Sequence, residues 1–318
     1  MFLSLRTKMN SVPTPIAGLA LGIASLGLCV ESRFPFDGNI QIGSAVIAGL
    51  LLVLLIVKFS LNPKQFKIDL GHTYISSVMP TFSMALMVVS MSIGIYNLPL
   101  AIIVWYCAVL IQFFLLIGFI HYRIQTPDWS HVTPSWFVPT VGVIVAGITC
   151  PSLAQQPLAL NIVLLGLCNG ALVLIPMIYR FIFHPEIVDA AKPSIAILAA
   201  PANVGLVGYL TVTAEPSALL VAILLGIGLL MTSIVYMSLF RLLRLPFSPG
   251  FAAFTFPTVI SATAVYKSAE LFKLWGLPEW QLLSNIADLE LVIASLLVVY
   301  VVCGYLKSAM HSFNNIPA

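Results

Sequence analysis

Long apolar runs, closed at short intervals by Lys, Arg, Pro or Asn, fill the chain. Ten of them lie at approximately 13–30, 42–59, 73–96, 98–120, 134–153, 158–183, 193–213, 217–240, 247–266 and 285–306. An α-helix needs about 20 apolar residues to cross a bilayer. The pattern therefore predicts an all-α polytopic membrane protein, a single transmembrane domain over residues 1–318 with ten spans. Runs 73–96 and 98–120 are parted by a single residue, Asn97, which predicts a tight helical hairpin.

A second pattern overlies the first. Every odd-numbered run carries an apolar or small residue, then Pro, then Thr or Ala, then a stretch rich in Gly, Ser and Ala. The copies are Val12-Pro13-Thr14, Met79-Pro80-Thr81, Val138-Pro139-Thr140, Ala200-Pro201-Ala202 and Phe256-Pro257-Thr258. Their prolines are 67, 59, 62 and 56 residues apart, about one helical hairpin each time. A proline inside a helix removes a donor and kinks it, and loosened backbone in lipid must be satisfied by protein or water. The expectation is five hairpins, with the odd helices kinked at Pro13, Pro80, Pro139, Pro201 and Pro257 and facing an inner axis, and the plainer even helices outside. Small residues after the prolines, Gly18 and Gly22 among them, either let backbones approach closely or leave room for a narrow conduit.

Composition sharpens the class. The chain is 60% hydrophobic and only 8% charged, whereas soluble domains carry about 25% charged residues. That excludes a soluble enzyme, a nucleic-acid binder and a disordered scaffold, and a net charge of +3 suggests no polyanion partner. With the amino terminus placed in the cytoplasm, 11 of the 14 Lys and Arg fall on that side; Arg33, Lys267 and Lys273 fall opposite. This positive-inside bias predicts both termini cytoplasmic. Arg6 and Lys8 precede an apolar run, but no A-x-A site follows and Leu28 spoils a lipoprotein box at Cys29, so the run reads as a retained first span.

Candidate chemistry is sparse. Cys29, Cys107, Cys150, Cys168 and Cys303 read as small buried hydrophobes, and the five histidines form no metal-ligand spacing, so neither metal nor cofactor is expected. No ionisable residue falls near the middle of a run; the nearest, Asp288 and Glu290, sit in the first turns of the last one, by an interface. An intramembrane enzyme would need a visible constellation of nucleophiles, acids or ligands. Proton-coupled pumps usually keep an ionisable relay in the membrane. A passage lined by hydroxyls, glycines and apolar groups suits a weakly hydrated small anion. The hydroxyls of Thr81, Thr140 and Thr258 either solvate it or bond back to their own helices. Phe256 lies 12 residues from Arg244 and 11 from Lys267, close to mid-membrane, beside Pro257.

At Val12-Pro-Thr-Pro-Ile-Ala-Gly18-Leu-Ala-Leu-Gly22, Leu198-Ala-Ala-Pro-Ala202 and Phe254-Thr-Phe256-Pro257-Thr258, the chain resembles the TehA-type tellurite-resistance/dicarboxylate transporter family, related to plant guard-cell slow anion channels. The resemblance runs through essentially all ten runs. It implies five hairpins in quasi-fivefold symmetry, odd helices lining a pore, a homotrimer with one pore per subunit, and a phenylalanine plug matched by Phe256, with Gly18 beside it. Pro15 stands where relatives often have Gly. Asn203 stands where a large apolar residue can occur; it either faces the axis and alters selectivity or bonds a neighbouring helix. The expected function is an anion channel or channel-like transporter of the bacterial cytoplasmic (inner) membrane, gated by Phe256. The alternative is a secondary transporter of C4-dicarboxylates, sulfite or tellurite.

Overall fold

The computed structural model describes Arg6 and residues 9–314, without the side chains of 311–314; Lys8 and the His311 ring lie outside that set. Among the described residues the regular structure is helical throughout, and eight helices are long and apolar enough to cross a membrane. Chain order gives α1 (Ile16–Arg33), α2 (Asn39–Leu61), the short α3 (Pro63–Gly71), α4 (Thr73–Val78), α5 (Thr81–Gly94) and α6 (Leu98–Gln125). There follow α7 (Phe137–Val141), α8 (Val145–Ile148), α9 (Gln156–Phe183), α10 (Ala200–Val212), α11 (Ala218–Leu242), α12 (Thr255–Leu274) and α13 (Trp280–Asn314).

Two of the ten expected runs depart from a simple span. Run 134–153 is a string of short pieces, with α7 and α8 joined by a 3-10 turn at Gly142–Ile144, and its apolar helical stretch ends at Ile148. Run 247–266 begins as a 3-10 turn, Pro249–Phe254, and continues as α12 eight residues past its expected end, through Lys267, Glu270 and Lys273.

The prolines also sit differently from expectation. None of the five bends the interior of an α-helix. Pro13 precedes α1 in a turn, Pro80 stands immediately before α5, Pro201 is the second residue of α10, and Pro139 and Pro257 are third in α7 and α12. At the start of a helix the missing N–H would have had no partner in any case, so proline is accommodated without losing a bond. What precedes each of the last three is a 3-10 segment: Pro134–Trp136, Lys192–Ala199 and Pro249–Phe254. The odd runs are thus broken and restarted at proline.

Burial separates odd from even runs. In Ile16–Arg33, Thr73–Gly94 and Lys192–Val212 between 56% and 67% of the apolar window is buried, against 22–39% in the other five long helices. Leu50, Ile117, Ile175 and Phe240 on the outer helices are exposed, as side chains bathed in lipid would be. Cys107, Cys168 and Cys303 are exposed there too, so of the five cysteines Cys29 is fully buried and Cys150 partly so. Inner segments touch in sequence: α1 meets α5, α5 meets α8, α8 meets α10, α10 meets α12, and α12 returns to α1.

Local chemistry fixes the hairpins. Asp37 and Gly38 take positive φ of 57° and 81° between α1 and α2. The Glu31 carboxylate accepts N–H bonds from Phe36, Gly38 and Ile40 and holds that turn. Asn97 Oδ1 accepts the Leu100 N–H at 3.0 Å and caps α6, which carries Pro99 in its first turn. The two ends of the chain are tied together as well. Thr255 Oγ1 donates to the Gly18 carbonyl at 3.1 Å, and Arg33 donates twice to Asp288, each bond 2.9 Å. Tyr266 donates to the same carboxylate.

Candidate functional site

Where the inner segments converge they enclose a narrow cavity of about 50 Å³. Gly18 of α1, Thr81 of α5, Val141 of α7, Pro201 of α10 and Phe256 of α12 contribute one wall each. It is a several-fold smaller space than the pockets of about 340 and 460 Å³ that lie toward either end of α1. Phe256 is 7% exposed and Pro257 lines the cavity beside it.

Of the residues singled out from sequence, Gly18, Thr81, Pro201, Phe256 and Pro257 line the cavity; Pro13, Pro80, Pro139, Gly22, Thr140, Asn203 and Thr258 do not. The three hydroxyls resolve toward self-bonding. Thr81 donates to Val78 O at 2.7 Å, Thr140 to Trp136 O at 2.8 Å, and Thr258 to the carbonyls of Phe254 and Thr255 at 2.9 Å. Their protons are committed to their own chain segments, which leaves the cavity wall apolar. Gly22 is a close-approach position: a Cβ there would lie 2.3 Å from Thr255 Oγ1. Gly22→Val is expected to force α1 and α12 apart and destabilise the fold by about 1–3 kcal/mol. A lowered thermal midpoint in detergent would record it.

Asn203 turns away from the cavity into a buried polar chain. Its Nδ2 donates to Ala199 O at 2.7 Å and to Thr232 Oγ1 at 3.1 Å. Thr232 and Ser261 share a bond of 2.8 Å, and Ser261 donates to Glu290 Oε2 at 2.5 Å. The chain links α10, α11, α12 and α13 at intervals of 29 residues. Gly228 gives Asn203 its room, since a Cβ there would stand 2.3 Å from Oδ1. Glu290 is 4% exposed. It lies ten residues into α13, roughly 15 Å from the helix start at 1.5 Å per residue. An acidic group is thus buried within the helical bundle, two residues along α13 from Asp288. Asp288, by contrast, is exposed and paired with Arg33.

Pockets flank the cavity at both ends of α1. One, of about 340 Å³, shares Pro15, Tyr74 and Gly250 with the cavity and also reaches Lys58 and Asp69. There Lys58 Nζ donates to Val12 O at 2.8 Å and Thr14 Oγ1 at 2.9 Å, and lies 3.6 Å from Asp69. Thr14 donates to Asp69 Oδ2 at 2.5 Å. This pocket is therefore charge-compensated. The sequence analysis did not single out Tyr74 or Gly250; for Gly250 the Pro249-Gly250 pair was an available signal. At the other end of α1 a pocket of about 460 Å³ is lined by Arg33, Lys267 and Lys273, with Glu270 as the acidic member. These are the three cations that the charge count separates from the other eleven.

A model of the SLAC1 family, described as voltage-dependent anion channel, matches residues 14–306. Two relatives from Methanocaldococcus jannaschii are similar. Uncharacterized transporter MJ0762 is 28% identical over 244 residues, 68% of this chain and 71% of the relative. Uncharacterized transporter MJ0576 is 27% identical over 293 residues, 81% of this chain and 84% of the relative. With a bundle of apolar helices around a narrow cavity and a match across nearly its whole length, the chain belongs to the SLAC1 family of voltage-dependent anion channels.

Proposed function

We propose that the protein passes small anions through the bilayer along the inner segments, and that Phe256 closes the path at the central cavity. The observation that carries this is the cavity itself, walled by all five odd runs and several-fold smaller than the pockets toward either end of α1. The ten segments are then five hairpins about a quasi-fivefold axis, with Pro201 and Pro257 at the restarts that shape the narrowest level. Gly18 lines the same cavity as Phe256, and a Cβ there would come within 3.3 Å of Ala252 Cβ. The apolar wall favours anions that shed water readily. Lys267 and Lys273 gather them at one mouth, since a basic pocket with low-dielectric walls raises the local anion concentration. The cytoplasmic (inner) membrane, cytoplasmic termini and a homotrimer belong to the same reading.

Anion efflux from proteoliposomes, run with chloride, nitrate, sulfite and malate, tests it. Efflux that is no greater than from empty liposomes, for both the unmodified chain and Phe256→Ala, ends the reading. Lys267→Gln combined with Lys273→Gln is expected to slow efflux severalfold at low ionic strength. The difference should shrink near 1 M salt, where the screening length is about 3 Å.

Glu290 supports a second reading, a secondary transporter for C4-dicarboxylates, sulfite or tellurite driven by protons. A buried acid in the bundle is the kind of group that relays protons through membranes, and the chain Glu290–Ser261–Thr232–Asn203 runs from it to the back of the cavity wall. Reversal potentials separate the two: passive conduction follows the anion gradient alone, whereas coupling shifts the potential with pH.

A further inference from the structure

Two arginines, Arg123 in the last turn of α6 and Arg180 in that of α9, are buried, at 8% and 5% exposure. Each reaches one carbonyl: Arg123 Nη2 donates to Gly71 O at 3.2 Å, and Arg180 Nη1 to Pro185 O. Nε and Nη1 of Arg123 and Nε of Arg180 have no hydrogen-bond partner. No carboxylate lies within ion-pair distance of either among the described residues. A buried guanidinium with unused N–H groups is expensive to keep unless something anionic answers it.

Arg123 lines a pocket of about 290 Å³ together with Thr126, Asp128, Trp129, Trp136 and Pro176. Asp128 does not answer it. That carboxylate accepts the Ser130 N–H at 2.8 Å and faces His131 at 3.9 Å, and the Ser130 bond followed by His131 and His184 holds its pKa below the usual value. Trp136 donates its indole N–H to His131 O, and Trp129 stacks on His184. Tryptophans at the ends of apolar helices mark the headgroup level of a bilayer, and basic pockets between transmembrane helices suit lipid headgroups.

We infer that the Arg123 pocket between α6 and α9 binds a phosphate group, most readily the phosphodiester of an anionic phospholipid. Guanidinium N–H groups match phosphate oxygens in geometry and charge. The inference does not depend on what the central cavity conducts.

The test uses the full chain in phosphatidylcholine nanodiscs. Phosphatidylglycerol is titrated in one arm and inorganic phosphate in the other, with thermal midpoint and bound lipid by native mass spectrometry as readouts. Arg123→Gln is expected to weaken phosphatidylglycerol binding at least about tenfold, the loss of one charge-assisted bond. Arg241→Gln, which removes an exposed arginine elsewhere, should leave it unchanged. A midpoint shift by inorganic phosphate that Arg123→Gln abolishes assigns the site to free phosphate and keeps the ligand class. Equal behaviour of the two variants, or no response of the unmodified chain in either arm, overturns the inference. Should Arg123→Gln fail to assemble, a photoreactive phosphatidylglycerol on the unmodified chain decides. Labelling within 123–136 supports the site, and labelling only elsewhere refutes it.

Discussion

Phe256→Ala is expected to raise anion efflux at least about tenfold, the change that a barrier lowered by about 1.4 kcal/mol produces. The ring lines a cavity of about 50 Å³ and shares its wall with two other aromatic side chains, Tyr74 and Phe137. Truncation removes the obstruction and admits water, which lowers the dehydration barrier for an entering anion. Losing a buried phenyl also destabilises a soluble core by about 3–5 kcal/mol, so a control must separate loosened packing from an opened path. Phe254 supplies it. It is fully buried, packs edge-on against Phe251 at 4.8 Å and does not line the cavity. Phe254→Ala should lower the thermal midpoint comparably while leaving efflux near its starting level. If both variants leak equally, the ring of Phe256 is packing and the path lies elsewhere.

The second large effect concerns Glu290. Ser261→Ala removes the hydroxyl that donates to the carboxylate and receives the bond network from Thr232. Leaving buried polar atoms without partners costs about 1–3 kcal/mol, more when one is charged, and a correspondingly lower midpoint in detergent is expected. Glu290→Gln keeps shape and an oxygen for Ser261, so its stability should fall by less. Transport then separates the two readings. Under proton coupling, an imposed pH gradient drives uptake in the unmodified chain and not in Glu290→Gln. For a passive path, the gradient drives neither. A coupled response that survives Glu290→Gln would remove this residue from the mechanism.

The all-helical class and the long apolar spans were legible because hydropathy and the proline repeat are properties of local windows. Where each proline acts was not, since its effect depends on its distance from the helix start. Hydropathy locates that start only within a few residues. Pro257 at the third position of α12 conserves every helical hydrogen bond, whereas the same residue one turn later would break one. The start of α13 was placed too late for a related reason. The polar residues Gln281 and Ser284 extend α13 beyond its apolar stretch, which moves Glu290 from the first turns to the third. The chain from Asn203 to Glu290 was invisible: four isolated polar residues on four helices become a network only when packing aligns them. Thr140 and Thr258 show the converse, where hydroxyls correctly noted for their chemistry spend it within their own segments.

The bond from Thr255 to Gly18 and the Arg33–Asp288 pair join positions 237 and 255 residues apart. During synthesis at roughly 5–20 residues per second, the first helix therefore waits on the order of 10–50 s for these neighbours. Its glycine-bearing face stays unsealed until α12 has been made. A nascent protein stalled before α12 would be an open trough, and the arrival of α12 and α13 is the step that seals it.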